Sequence, residues 1–427
     1  MKRITPIERV GKMLEELMVK GTRTTDAGSL FIRLATQKMA QELLEAARTD
    51  FLGREPYERT AEYRGRRNGY EQTRLKSAEG KIPIDVPQVR EAAQPFRPAL
   101  LDFLRGNTDV LERLAVEMFA RGLSTRDIDA ALQHSTGDRL LTRSGVSEIT
   151  EALWEEFEAF QKRDLSGFEL ESLFLDALYE SLRLRGGRPE ALLCAWGIMR
   201  DGSKVLLHLA LGSKESYDDW QTMLRNMVRR GLRLPISITS DGSLGAIKAI
   251  GQMFPKSLRV RCWVHKMRNI VGKLPDDAVA EVKAHLIAIR DAPNYESGLI
   301  LARQVITTYQ TRYPSAMACL EDDLGASLNH LRLPVRLRRS VRSTNLVERS
   351  FEEERRRSKV IPRFFTEKSC LKLSFAVLWR VSGRWQKIKL TTRELEQLDE
   401  LRSKLGLPLY ESQAIRLHPK RRARISA

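Results

Sequence analysis

The chain has 427 residues, of which 42% are hydrophobic, and 73 Lys and Arg stand against 55 Asp and Glu for a formal charge of +18. That length exceeds one ordinary core, so roughly two to four domains are expected, and the positive excess favours a polyanionic partner, nucleic acid being the commonest. No stretch approaches the roughly 18 apolar residues of a membrane helix, no secretion signal opens the chain, and four scattered cysteines without a CxxC pair argue against a disulfide scaffold or a structural zinc site.

Residues 29–50 carry helical periodicity, with Leu30, Leu34, Met39, Leu43 and Ala47 near one face. A basic, glycine-punctuated segment follows. Within it, Gln72 to Ser77 and Lys81 to Val86 read as two short strands joined at Ala78-Glu79-Gly80. A ribbon bearing Arg64, Arg66, Arg67, Arg74 and Lys76 suits a phosphate backbone, or is simply a solvated hairpin.

Residues 108–162 read as helical throughout. Leu111, Leu114, Met118 and Phe119 form one stripe, ended at Gly122. Ser124 or Thr125 caps a second helix reaching about Leu132. Ser144 or Ser147 caps a third, long helix with Ile149, Leu153, Trp154 and Phe157 as its apolar face. This series fits either a helix-turn-helix DNA reader or a structural bundle.

From 170 the pattern changes to strands. Leu173–Tyr179, Ala191–Met199 and Lys204–Leu211 are apolar runs of strand length, the last two joined by the hairpin signal Arg200-Asp201-Gly202. An amphipathic helix over 216–231, a strand at Ile236–Ser240, a helix at 242–254 and a strand at Leu258–Val264 follow. Three meandering strands and then alternating helix and strand predict an α/β fold, a mixed five-stranded sheet of ribonuclease H-like type. Residues 276–330 are helical, broken at Pro293 and Pro314, and the chain closes on a basic tail.

Three carboxylates stand out. Asp176 closes the apolar run LFLDALY, Asp241 opens a turn after PISITS, and Glu348 lies in VRSTNLVERSFEEERRR on a helix starting near Thr344 or Asn345, with Asn345 a plausible cap. A carboxylate ending a buried strand is costly unless its charge is compensated, as by a metal ion. With the first strand central and the fourth beside it, Asp176 and Asp241 occupy neighbouring positions, and a helix crossing the sheet brings Glu348 within reach. These are the oxygen ligands that two Mg²⁺ ions need for phosphodiester chemistry.

The same segments resemble the Mutator-like transposases of bacterial insertion sequences, in the DDE superfamily. LFLDALYESLR, SDGSLGAIKAIGQMFP followed by RCWVHKMRNI, and STNLVERSFEEERRR look like the family's three signatures, and RNGYEQTR like its N-terminal half. The resemblance implies Asp176, Asp241 and Glu348 as catalytic metal ligands, two Mg²⁺ ions for which Mn²⁺ substitutes, and a helical insertion before the glutamate. It further implies a transposase that binds the inverted terminal repeats of its element, self-associates at least as a dimer on DNA, and works at the nucleoid in the cytoplasm, with no membrane partner. Where members commonly show Pro-Arg-x-Arg this chain has Pro87-Gln88-Val89-Arg90, and Leu333 stands before Pro334 where an aromatic is common.

Cys262 and His265 at CxxH spacing are either half of a zinc site or residues that position the DNA strand or pack beside Asp241. The absence of a second ligand pair nearby favours the latter, so no zinc is expected. Asn345 and Arg349 are assigned the same supporting role, and Arg355 and Arg356 DNA contacts, Arg357 following in the same charge run. The expected layout is a helical region with the basic ribbon (1–107), helix-turn-helix-like helices (108–165), a catalytic core in two parts (166–275 and 336–390) around a helical insertion (276–335), and a C-terminal helix and tail (391–427). Rival readings are a structure-selective nuclease on the same fold and a domesticated DNA-binding protein without catalysis; inverted repeats and short target duplications flanking the gene discriminate against the first, and three intact acids against the second.

Overall fold

The computed structural model describes residues 4–20, 27–60, 62–104, 106–182, 189–212, 214–359, 361 and 364–410. The basic tail lies outside them. The chain forms two compact units divided between Leu153 and Trp154.

The first unit begins with helices α1 (Pro6–Lys20) and α2 (Ala27–Leu52), followed by strands β1 (Arg66–Ser77) and β2 (Gly80–Arg90) in an antiparallel ribbon. Short α3 (Leu100–Leu104) and β3 (Gly106–Asn107) complete a three-stranded sheet. The ribbon is longer than expected. Its apolar face, Ile82, Ile84 and Val86, packs with Ala40 and Leu44 of α2. That choice of face corrects the expected stripe: Met39 and Leu43 are 65% and 51% exposed. Buried Gln41 instead accepts from Asp85 N and donates to Asp85 O, so a polar side chain takes a place in the helix–ribbon interface by satisfying strand backbone.

Three helices then form a small core of their own: α4 (Asp109–Ala120), α5 (Thr125–Thr136) and α6 (Arg143–Ile149). Thr108 caps α4, and Gly122 at φ +92° turns the chain into α5, where Ser124 and Asp127 form a capping box. Leu111 and Ala115 are fully buried, whereas Leu114 is partly exposed. The expected long third helix is two: Thr142, not Ser144 or Ser147, caps α6, and the chain breaks at Thr150 before α7 (Ala152–Lys162).

The second unit is built on a five-stranded mixed sheet: β4 (Leu170–Ser181), β5 (Pro189–Met199), β6 (Lys204–Gly212), β7 (Ser237–Ser240) and β8 (Leu258–Arg261), in the order β6-β5-β4-β7-β8. β4 is central, antiparallel to β5 and parallel to β7. Alternation along β4 splits two cores. Leu173 and Leu175 face α8 (Tyr217–Arg229) and α9 (Leu244–Met253), while Phe174 and Leu178 face the opposite layer.

After α10 (Trp263–Val271) come helices α11 (Asp276–Arg290), α12 (Tyr295–Tyr309), α13 (Pro314–Glu321) and α14 (Leu324–Leu328), which share a separate apolar core with Trp263. The chain returns through α15 (Val335–Val341), α16 (Asn345–Ser358), α17 (Glu367–Ser382) and α18 (Thr392–Lys404). α18 is clamped to β4: buried Arg402 pairs with buried Glu171 at 3.0 Å and donates to Leu170 O at 2.7 Å. Among the described residues no helix is long and apolar enough to cross a membrane.

Candidate active site

Strand pairing aligns Leu173 with Ile238 and Phe174 with Thr239. Continued two residues, that register sets Asp241 level with Asp176. Asp176 shares the face of Phe174 and Leu178, under α16, whose Val347 and Phe351 fill the same core. The Thr239 hydroxyl donates to Val341 O at 2.7 Å and Trp263 N donates to Arg342 O at 2.9 Å. These two bonds fasten the α15–α16 junction to the ends of β7 and β8, and thereby bring Glu348, in the first turn of α16, to the strand-end aspartates.

Burial, reinforced by the charge of Asp241, pushes the Asp176 carboxyl up to about 7, against the opposing pull of the Ala177 N–H, His265 and Thr344. Its positive influence thus comes from His265 rather than from a lysine or arginine. Asp176 and Asp241, close enough for one charge to act on the other, offer hard oxygens of the kind a divalent cation takes, while Glu348 lies beside His265, whose charge also acts on Asp176. Asp241 accepts from Ser243 N at 3.0 Å as the chain turns into α9.

β8 stops at Arg261, so Cys262 and His265 are not at a strand end as expected. Cys262 N bonds Ser240 O at 2.9 Å, and Cys262 then becomes the cap residue of α10, with His265 in its first turn. His265 Nε2 is 3.9 Å from Glu348 Oε1. Its neighbour Cys262 is the main reason its pKa rises, to about 9, with burial opposing and Asp176 and Glu348 assisting. Burial alone would raise the Cys262 thiol, but His265 and Thr344 bring it below its ordinary value. Ligand atoms of Cys262, His265 and Glu348 all lie within 4.8 Å of one another, so this group too could hold a metal.

The match to known sequences decides the family: residues 10–388 fit the "Transposase, Mutator family". The chain belongs to the Mutator family of transposases. It is 31% identical over 386 residues to the transposase for insertion sequence element ISRM5 of Rhizobium meliloti (strain 1021), spanning 89% of this chain and 94% of that one. It is 32% identical over 357 residues to that of IS406 of Burkholderia multivorans, spanning 82% and 90%. With the transposase of IS256 in Tn4001 of Staphylococcus aureus it shares 28% over 348 residues, spanning 81% and 88%. Among solved structures, the Drosophila P element transposase strand transfer complex aligns at a TM-score of 0.31 and 10% identity, over 71% of this chain and 81% of that one, too distant to bear on the fold.

This Mutator-family transposase is a nucleic-acid-processing enzyme, and its sequence-derived residues fall into separate places. Cys262, His265 and Glu348 come together with ligand atoms within 4.8 Å of one another, and Asp176 is within the electrostatic reach of Asp241 and His265. Asn345 does not cap α16; Thr344 holds that position, and Asn345 and Arg349 line a pocket beside the acids. Arg355 is exposed on α16, while Arg356 and Arg357 pair with Glu353 at 2.5 and 2.6 Å. In the ribbon, Arg64 pairs with Glu62 and Arg66 with Glu91. Arg67 is turned inward, donating to Thr49 Oγ1 and Arg54 O. Arg74 is exposed and Lys76 half-buried.

Three residues of the transposase site escaped the sequence reading. Thr344 donates to Glu348 Oε1 at 3.4 Å and touches Cys262 Sγ at 3.5 Å. Glu215 is raised by burial and by Asp241, with the Tyr179 hydroxyl holding it back. Gly245 makes that proximity possible, since a Cβ there would lie 2.8 Å from Glu215 O and Tyr217 N. Tyr179 lies an odd number of residues after Asp176 on β4 and so on the other face, where it meets Glu215; neither residue carried a signal in the sequence.

Proposed function

We propose that this chain is the DNA transposase of an insertion sequence, binding the element's inverted terminal repeats and catalysing metal-dependent strand cleavage and strand transfer. The convergence of Asp176, Asp241 and Glu348 from β4, the end of β7 and the first turn of α16 carries the reading. The sheet order supports a ribonuclease H-like core, with the helical elements α11 to α14 as its insertion. Asp176, Asp241 and Glu348 would hold two Mg²⁺ ions, with Mn²⁺ able to replace them. Such ions supply Lewis-acid stabilisation of the phosphoryl oxygens and a nucleophilic oxygen at neutral pH.

The protein's own side chains bind and orient. Thr344 fixes the Glu348 carboxylate, and cationic His265 lies beside it, where it can also meet a phosphate. Water attacks phosphorus and the P–O3′ bond breaks, leaving a 3′-hydroxyl. That hydroxyl then attacks a target phosphodiester, forming one P–O bond while another breaks. Both are in-line displacements, so one site serves both and no protein nucleophile is required. The ribbon β1–β2 and helices α4 to α7 are the DNA-binding region, with α4–α5 in a helix-turn-helix-like arrangement, and at least two chains act together on DNA.

The test is the purified chain with its element's end DNA and Mg²⁺ or Mn²⁺. Nicks bearing 3′-hydroxyls and joined products are expected from the native chain, and neither from Asp176→Asn. Cutting without joining would identify a nuclease instead.

A further inference from the structure

A pocket of about 570 Å³ is lined by Asn345, Leu346 and Arg349 of α16 and by Trp263, Val264 and Met267 of α10. Six cationic side chains line it: Lys204, Arg290, Arg339, Arg342, Arg349 and Arg384, and no acidic residue does. Asp291, outside the lining, pairs with Arg290 at 2.6 Å and also with Arg342. One carboxylate shared by two guanidiniums cancels a single charge of the six. Arg339, Arg349 and Arg384 point from three different segments and are exposed. Burial first, and the nearby Arg349 charge second, hold the Lys204 ammonium below its ordinary pKa. Like charges gathered in one concavity are unfavourable unless an anion joins them.

The pocket is built rather than incidental. Trp385 in its wall stacks on buried Trp196 with ring centroids 4.5 Å apart, which steadies the segment carrying Arg384. Lys204 donates to Gln386 O at 3.0 Å, tying the same segment to the β5–β6 hairpin. It also adjoins the acids through shared walls. Arg349 follows Glu348 on α16, and Val264 of the lining precedes His265 on α10.

We propose that this pocket seats backbone phosphates of the DNA strand whose neighbouring phosphate lies among Asp176, Asp241 and Glu348. The proposal rests on the transposase reading and extends it, by assigning strand-holding to a site distinct from the ribbon. Guanidinium groups suit it because their forked donors match phosphate oxygens.

The experiment measures binding of the full chain to duplex DNA carrying the element's end as salt is varied, for the native chain, Arg339→Gln/Arg384→Gln and Arg339→Lys/Arg384→Lys. Each phosphate contact contributes about 0.9 to the slope of log K against log salt. The Gln pair should therefore flatten the slope by roughly 1.8, and the Lys pair should keep it near native. An unchanged slope in the Gln pair, or an equal loss in the Lys pair, overturns the proposal. Inorganic pyrophosphate should compete with DNA for the native chain and less for the Gln pair. Tight pyrophosphate binding with DNA affinity unaltered by the Gln pair would identify a small-anion site and also overturn it. Nicking by the native chain alongside an unchanged slope rejects the pocket alone, whereas absence of both DNA binding and nicking rejects the transposase reading.

Discussion

The Thr344 hydroxyl stands 3.4 Å from Oε1 of Glu348, one helical turn away, and 3.5 Å from the thiol of Cys262. The position that starts α16 therefore also orients the carboxylate that α16 delivers. Thr344→Val keeps the shape and removes the hydroxyl. Strand cleavage should fall by roughly 10- to 100-fold, the range typical when an outer partner of a metal ligand is lost. Asp176→Asn, Asp241→Asn and Glu348→Gln should each fall further, while end binding in a gel shift persists. Full nicking activity in any of the three would remove that residue from the site.

His265→Ala should lower strand cleavage substantially with the fold and end binding intact, because His265 sits 3.9 Å from Glu348. Cys262→Ser should be milder, since a serine hydroxyl at this buried position can keep the contacts to Thr344 and His265. Metal analysis of purified protein should find no stoichiometric zinc. One tightly held zinc per chain, lost in both variants together with thermal stability, would instead make this pair a structural metal site.

DNA binding should reside in a fragment of residues 1–162, whose ribbon and helices pack their own cores. With about six phosphates neutralised, affinity should fall roughly a thousandfold between 50 and 200 mM salt. Failure of the fragment to shift inverted-repeat DNA at low salt would contradict this placement. Arg74→Gln should flatten the salt dependence and Arg67→Gln should lower stability, because Arg67 is spent on Thr49 and the Arg54 carbonyl.

Much of the sheet was readable because its strands are nearly continuous apolar runs bounded by turn residues, as in Leu173–Tyr179, which Asp176 interrupts. Asp241 was readable for the same reason, standing where such a run meets Gly242. What escaped depends on contacts between distant segments. Met39 and Leu43 satisfy a helical period yet face outward, because the ribbon covers the side of α2 that offers Gln41 to its backbone. Cys262 continues the apolar pattern of β8, but its N–H is taken by Ser240 O and the chain turns to helix. Glu215 is brought to Asp241 by the approach of α9 at Gly245, which local sequence does not encode.

The Arg402–Glu171 pair offers a stability test. Both side chains are fully buried, and Arg200 also reaches Glu171 at 3.1 Å. Arg402→Met should cost about 1.5–3 kcal/mol, since it removes one of the two guanidiniums that hold the buried Glu171 carboxylate and leaves Arg200. The double variant Arg402→Met/Glu171→Met should recover part of that loss in urea unfolding. A single variant as stable as the native chain would show the clamp to be dispensable.

A second carboxyl pair sets a pH dependence. Glu354 is buried, accepting from Ser358 and Ser374 at 3.2 Å, and burial followed by the Glu354 charge pushes Glu180 up to about 8. Unfolding releases that proton at ordinary carboxylate pH, so stability is greatest below about 4.5 from this source and is lost as pH rises through about 8. Glu180→Gln should therefore raise stability at pH 9 by about 1 kcal/mol and leave pH 4 little changed. Melting curves across that range check the sign; a gain confined to low pH would refute it.

The Arg402–Glu171 clamp also sets an order in time. The strand that bears Asp176 receives its buried counter-charge from a residue synthesised 231 positions later, and Glu348 is itself 107 residues beyond Asp241. A nascent or prematurely terminated chain holds Asp176 and Asp241 on a sheet whose buried Glu171 has Arg200 as its partner and still lacks Arg402. On the function proposed above, cutting competence would be deferred until nearly all of the polypeptide has left the ribosome, and fragments from interrupted translation would engage DNA through the ribbon and helices without being able to break it.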